Sequence, residues 1–343
     1  MIRYSLRRVV LFLFTLWLLT VFLFALNYFF PGDPLTNMTG IADSSSTAYA
    51  TAMEQRYFAG SLLEQYGGFV HHLVQGEWGR SLVTERPVFS DGLTALGASL
   101  ELSLLAMMVA FIVGAPLGIY AAIQQRGLLD RIIMGISLSA YSIPVFWLAQ
   151  LCILLFAVKL GWAPISSQIN PLYDIPTMSG AILIDISISD YEYKQAALRD
   201  ALYHLWLPVT VLAIMPLTML MRITRNAMLD VLAHNYIRAA RARGLSEARI
   251  LLRHSIPNSM QPVVRQLGLQ FSMLMSNLIV TEVIFNWPGV GSWLVKAIYE
   301  RDYPVLQAGL LMLATLILFV NVAVELFHAW RYPQVRKELY AEH

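Results

Sequence analysis

The chain has 343 residues, of which 57% are hydrophobic and only 13% charged, with a formal net charge of +2. A soluble domain is about 45–50% apolar and about 25% charged, so this composition excludes a water-soluble globule, a disordered chain and a coiled coil, and leaves a polytopic membrane protein. The single cysteine, Cys152, excludes a disulfide framework and a cysteine-rich metal site.

Arg3, Arg7 and Arg8 precede an uncharged apolar run over residues 9–30. That run is longer than a cleavable signal core and ends in Asn27-Tyr28-Phe29-Phe30 without a small-residue cleavage site, so it reads as an uncleaved first membrane helix. A crossing helix needs about 20 apolar residues. The further candidates are residues 102–123, 132–158, 205–221, 267–284 and 305–327, giving six spans. The fourth is short and holds Pro208 and Pro216, which a membrane helix tolerates where neighbours re-satisfy the freed carbonyls. With the N-terminus placed in the cytoplasm, the inner segments carry about two-thirds of the Lys and Arg residues. Both termini are therefore expected inside.

Residues 1–30 are then an inner tip and first span, and residues 31–97 an outer segment with one helix-like stretch through Leu62, Leu63, Tyr66 and Phe69. Residues 98–331 form the membrane core, with an outer loop at 161–203 and an inner loop at 222–261, and residues 332–343 a cytoplasmic tail. Most of both outer segments reads as plain loop. Asp174, Asp185, Asp190, Glu192 and Asp200 make the second one acidic. Trp162, Trp206 and Trp287 fall near the expected outer interface, which suits indole rings.

The inner loop carries the most information. Between residues 222 and 253 stand seven arginines against Asp230 and Glu247. The pattern reads as two short helices: one near residues 235–242, a break at Gly244 suited to a left-handed turn, and a second helix capped by Ser246 and stopped by Pro257. Tethered to a span at both ends, such a pair passes any push to both. Three readings compete: a partnerless positive-inside loop, a DNA-binding helix-turn-helix, which double tethering to the membrane disfavours, and a docking element for a cytoplasmic motor.

The loop resembles the Glu-Ala-Ala motif of ABC-importer permease subunits, which continues with three residues, Gly, nine residues and Ile-x-Leu-Pro. Arg238, Ala239 and Ala240 stand at its head, Gly244 at its glycine, and His254-Ser255-Ile256-Pro257 at its end. Arg in place of the leading Glu is usual in the dipeptide/oligopeptide branch. Pro31-Gly32-Asp33-Pro34, Gly76-Glu77-Trp78-Gly79-Arg80-Ser81, Gly114-Ala115-Pro116-Leu117-Gly118, Ser142-Ile143-Pro144-Val145-Phe146-Trp147, residues 282–291 and Arg301-Asp302-Tyr303-Pro304 resemble that branch in order along nearly the whole chain. Within it, residues 172–190 are most similar to permeases of the Sap peptide-transport type. The resemblance implies an all-α integral membrane fold, six helices of the type I (MetI-like) importer kind. It implies a permease subunit moving peptides, including cationic ones, across the bacterial cytoplasmic membrane, with polyamine transport as an alternative. It further implies a second homologous permease, cytoplasmic ABC ATPase subunits that bind ATP and Mg, an extracytoplasmic solute-binding protein, and Arg238, Ala239, Ala240, Gly244, Ile256 and Pro257 as the ATPase-coupling loop.

The chain itself has no GxxxxGK[ST] phosphate loop, no HExxH and no assembled catalytic triad, so it is expected to be non-catalytic, without metal, cofactor or nucleic acid. An ion-coupled secondary transporter would bring internal repeats and midplane charges, which are not evident. Polar groups in or beside spans remain pathway candidates: Glu101, Asn277 and Glu282, against the plainer readings of a solvated helix end or a helix–helix hydrogen bond. Gly114 and Gly118 form a GxxxG pair expected to pack helices closely.

Overall fold

The computed structural model describes residues 2–331. The expected tail at 332–343, with Arg336 and Lys337, lies outside the described residues. Among those described, every regular element is helical. In chain order they are α1 (Ile2–Phe29), α2 (Pro34–Thr39), α3 (Thr47–Gln55), α4 (Leu62–Val74), α5 (Val88–Ile123), α6 (Leu128–Ser142), α7 (Val145–Cys152) running on into a π-helical stretch (Ile153–Lys159), α8 (Ile182–Ile188), α9 (Lys194–Ala233), α10 (Asn235–Ala242), α11 (Glu247–Ile250) with a π-helical turn (Leu251–Ser255), α12 (Ile256–Ile284), α13 (Val290–Glu300) and α14 (Tyr303–Arg331).

Among the described residues, five helices are long and apolar enough to cross a membrane, and a sixth crossing is made if the bent pair Leu128–Ser142 and Val145–Lys159 counts as one span. The chain is thus a multi-pass membrane protein. The third expected span, 132–158, is not straight: it bends by 102°. Pro144 is the cause. It drives Ile143 to an extended ψ of 125°, and the helix restarts beyond it. The fourth span is far longer than its apolar run, because α9 continues through buried Pro208 and Pro216 for 40 residues. Close packing holds its backbone where propensity would not.

The α5–α9 pair is the spine of the bundle. On α5 the buried stripe, Leu102 apart, is made of small residues: Ala98, Ala106, Ala110, Gly114, Gly118 and Ala122. Such a stripe lets two backbones approach, the usual source of helix adhesion in lipid. A Cβ on Gly114 would lie 2.7 Å from the Leu217 carbonyl oxygen, and one on Gly118 would lie 2.4 Å from that of Met221. At the end where the chain begins, Arg225 of α9 grips Asp130 of α6 with two hydrogen bonds of 2.6 and 2.7 Å. Arg8 of α1 pairs with Glu325 of α14 at 2.9 Å.

Residues 31–97 are mostly helix rather than loop. Asp33 caps α2, with Pro34 in its first turn, and Ser61 and Glu64 form a reciprocal capping box on α4. Tyr66 of α4 meets Thr20 of α1 at 2.9 Å, and Tyr28 bonds Gln65. A buried amide cluster ties this module to the bundle: Gln307 donates to Asn27 at 2.5 Å and to the Asn37 carbonyl at 3.3 Å. The loop at 161–203 is also built. Buried Asp185 accepts from the Met178, Ser179 and Gly180 N–H groups and from the Ser179 hydroxyl, and Asp200 accepts from the Asn170 N–H. These two carboxylates hold the loop together and do not present a free acidic surface. Trp287, expected at the interface, is instead fully buried and donates to the Ala98 carbonyl. Trp162 is exposed, as an interfacial ring would be.

Candidate functional site

The arginine-rich hairpin is built by local rules. α9 ends where His234 adopts an extended ψ of 149°, and the same residue occupies the position before α10 without a side-chain capping bond. α10 buries Ile237 and Ala240 against Ile250, with Leu232 and Leu245 around them. Arg238 and Ala239 point to solvent on the opposite side. Gly244 then reverses the chain at φ +75°, a conformation costly for any residue with a Cβ. Across this turn Arg241 donates to both carboxylate oxygens of Glu247, at 2.8 and 3.2 Å.

Two sequence expectations are corrected here. Ser246 occupies the capping position, but its hydroxyl makes no capping bond; the Arg241–Glu247 clamp fixes the corner instead. Pro257 does not stop the second helix. α11 passes through the π turn into α12, and Pro257 falls in the first turn of α12. Wider i→i+5 bonding makes this possible: the Ile256 N–H reaches the Leu251 carbonyl. Ile256 and Pro257 therefore join the hairpin to α12 without a break. Asn258 of α12 adds a 3.2 Å bond to Tyr236 of α10. The hairpin is a firm unit, joined to α9 through the single extended residue His234 and running without a helical break into α12.

The three polar pathway candidates lie apart from it. Glu101 is not a solvated helix end. It sits inside α5 and accepts the Ile182 and Leu183 N–H groups at 2.9 and 2.8 Å, capping α8. Glu282 is fully buried near the end of α12. It accepts from the Ser99 hydroxyl at 2.5 Å, the Gly291 N–H at 2.7 Å and the Ser292 N–H at 3.1 Å, knotting α5, α12 and α13 together. Asn277 bonds the Met273 carbonyl of its own helix. The cross-helix amide bond is made by Asn321, which donates to the Ser272 hydroxyl at 2.7 Å. Sequence reading passed over Asn321; a lone Asn inside an apolar run was the available signal.

At the end of the bundle opposite the hairpin, an open vestibule of about 630 Å³ lies between the start of α5, the turn at residues 81–86 and α13. Ser81 and Asp302 join across its floor at 2.5 Å. Among the described residues, no cluster of His, Cys, Asp and Glu is arranged to hold a metal ion.

Long apolar helices around a small-residue spine, with a basic hairpin wired into two of them, describe a membrane transport component. Residues 114–337 match the family of binding-protein-dependent transport system inner membrane components, and the chain belongs to that family. It is 41% identical to the di/tripeptide transport system permease protein DppB of Pseudomonas aeruginosa, over 98% of this chain and 100% of that protein. It is 35% identical to the dipeptide transport system permease protein DppB of Escherichia coli K12 (98% and 99% covered). To the putrescine export system permease protein SapB of the same strain it is 36% identical (99% and 99%). The likeness to Sap-type permeases at residues 172–190 thus sits beside a higher identity to a di/tripeptide permease. Among solved structures the chain is similar to a chain of the MetNI methionine ABC transporter, at a TM-score of 0.49 and 17% identity over 67% of this chain and 91% of that one. The family assignment rests on the sequence matches.

Proposed function

We propose that the chain is a permease subunit of an ATP-driven peptide transporter in the bacterial cytoplasmic membrane. The hairpin end faces the cytoplasm, as the arginine distribution favours. It receives force from a separate ATPase subunit, which binds and hydrolyses ATP with Mg. A second permease of the same branch completes the passage, and an extracytoplasmic solute-binding protein delivers substrate at the vestibule end.

One observation carries this reading: the hairpin is joined to α9 through the single residue His234 and runs directly into α12, and α9 lies along α5 for much of its length. A displacement at Arg238 and Ala239 therefore reaches the core helices through backbone, not through a slack loop. Alternating access needs this kind of two-state coupling between distant ends. Arg238, Ala239, Ala240, Gly244, Ile256 and Pro257 are the coupling residues in this scheme: Arg238 and Ala239 as the outward face, Ala240 as its packed underside, Gly244 as the corner, Ile256 and Pro257 as the join.

The test is a cysteine placed at Arg238 in the assembled transporter. Crosslinking to the ATPase subunit, with a yield that changes on adding ATP, is the expected result. A reactive cysteine that never crosslinks to that subunit, in a complex still importing a dipeptide, would remove the hairpin from the coupling path. Uptake that persists without nucleotide would remove the ATP-driven class.

A further inference from the structure

The vestibule carries charge of both signs, and its bookkeeping is informative. Glu282 and Asp302 line it, but both are buried and engaged with protein donors: Glu282 as described above, Asp302 with the Ser81 hydroxyl and the Val305 N–H. The charges that reach the open space are Arg86 and Lys296 on one side of the ledger and Asp91 and Glu300 on the other. Arg86 and Asp91 form no ion pair among the described residues, and Lys296 meets Glu300 only at 3.8 Å, with the lysine side chain 64% exposed. Trp293 and Tyr299 add aromatic surface. The volume lies within the usual range for small-molecule sites, about 300–1,000 Å³.

We propose that this vestibule is a subsite for the two charged ends of a short peptide, with Arg86 and Lys296 facing the carboxylate and Asp91 and Glu300 the ammonium. The inference rests on the peptide reading above and narrows it to zwitterionic substrates with free termini. Two cations against two anions balance a molecule that carries one charge of each sign. A diamine would call for an excess of carboxylates, and the open carboxylates here are matched by cations. Four weakly paired charges also cost little to reorganise, because none must abandon a strong partner when a substrate arrives.

The experiment uses the full transporter in proteoliposomes, with its binding protein outside, and compares uptake of dialanine, dialanine amide and N-acetyldialanine. The same binding protein serves every permease variant, so its own preference cancels in the ratio of variant to wild type. Arg86→Gln with Lys296→Gln is expected to raise the half-saturation concentration for dialanine about fivefold and to shrink the preference for dialanine over its amide by a similar factor. Asp91→Asn with Glu300→Gln is expected to shrink the preference over N-acetyldialanine instead. Lys296→Arg, which keeps the charge, should restore the wild-type ratio. If every variant, assembled at wild-type abundance, keeps wild-type preferences, or if uptake of all three compounds falls equally, the subsite is refuted while peptide transport stands. Wild-type transporter that moves none of them overturns the peptide reading and the subsite with it.

Discussion

Ser81 donates its hydroxyl to the Asp302 carboxylate at 2.5 Å, joining positions 221 residues apart. The same hydroxyl accepts the Val83 and Thr84 N–H groups, so one atom shapes the turn at residues 81–86 and fastens it to the start of α14. A buried hydrogen bond to a charged group contributes about 1.5–3 kcal/mol, and leaving the carboxylate short of a donor forfeits it. Ser81→Ala and Asp302→Ala should each lower the melting temperature of the detergent-solubilised protein. The double variant should cost clearly less than the two losses added together. Simple additivity in thermal unfolding would show that the two residues do not act as a pair.

Glu282 gives a second prediction, because its two roles separate experimentally. As the acceptor for three donors at the junction of α5, α12 and α13 it is a fastening; as a pathway group it would select substrate. Glu282→Ala strands those donors in a buried site and should destabilise by about 3 kcal/mol, read as a large drop in melting temperature and in membrane abundance. Glu282→Gln keeps the shape and one accepting oxygen, and should lose less. Residual transporter carrying Gln should retain the wild-type order of peptide preferences. A changed order in a stably folded Gln variant would return Glu282 to the pathway.

Much of the fold was legible in the sequence, and the losses have specific causes. The apolar runs gave the spans, since lipid imposes a length and a composition that local propensity does not. They missed the 102° bend at Ile143-Pro144, where a proline in lipid either kinks a helix or passes unnoticed, as Pro208 and Pro216 do. They also missed the polar extensions of α5 and α9, which tertiary packing stabilises. The hairpin was readable because its corner needs φ above zero and glycine is the usual means. The structural tasks of Glu101, Asp185 and Glu282 were not legible for one reason. A carboxylate that caps a distant helix or gathers loop amides looks, in sequence, like any acidic residue near an interface; only the partner's position tells them apart.

The capping box on α4 gives a pH prediction away from the membrane spans. The Ser61 N–H and hydroxyl both donate to the Glu64 carboxylate, at 2.7 and 2.9 Å, and hold its pKa below the usual glutamate value. The sign follows: a group whose pKa is depressed on folding contributes stability that is present above its unfolded value, about 4.3, and is lost as pH falls through the lower folded value. Amide protection at the start of α4, corrected for intrinsic exchange, should be flat from neutral pH down to about pH 5 and fall only below about pH 4. Glu64→Gln should show no such acid step. Identical acid profiles for the two proteins would mean that the carboxylate is not what responds.

Gly244 separates the making of the hairpin from its use. Its φ is +75°, yet nothing lies within 4 Å of the position a Cβ would take. Packing therefore does not demand glycine there; backbone conformation alone does. Gly244→Ala meets only the left-handed penalty, about 1–2 kcal/mol, and should leave transport reduced but coupled. Gly244→Pro cannot adopt the angle, and it also removes the N–H that donates to the Arg241 carbonyl at 2.9 Å. The corner must then open, and with it the neighbouring Arg241–Glu247 clamp. The substitution alters no residue of the spans themselves, so the protein should insert at wild-type abundance while ATP is hydrolysed without matching uptake. Parallel measurement of ATP hydrolysis and peptide uptake by the same proteoliposomes decides the matter. Wild-type coupling in the proline variant would show that the corner's geometry plays no part in transmitting force.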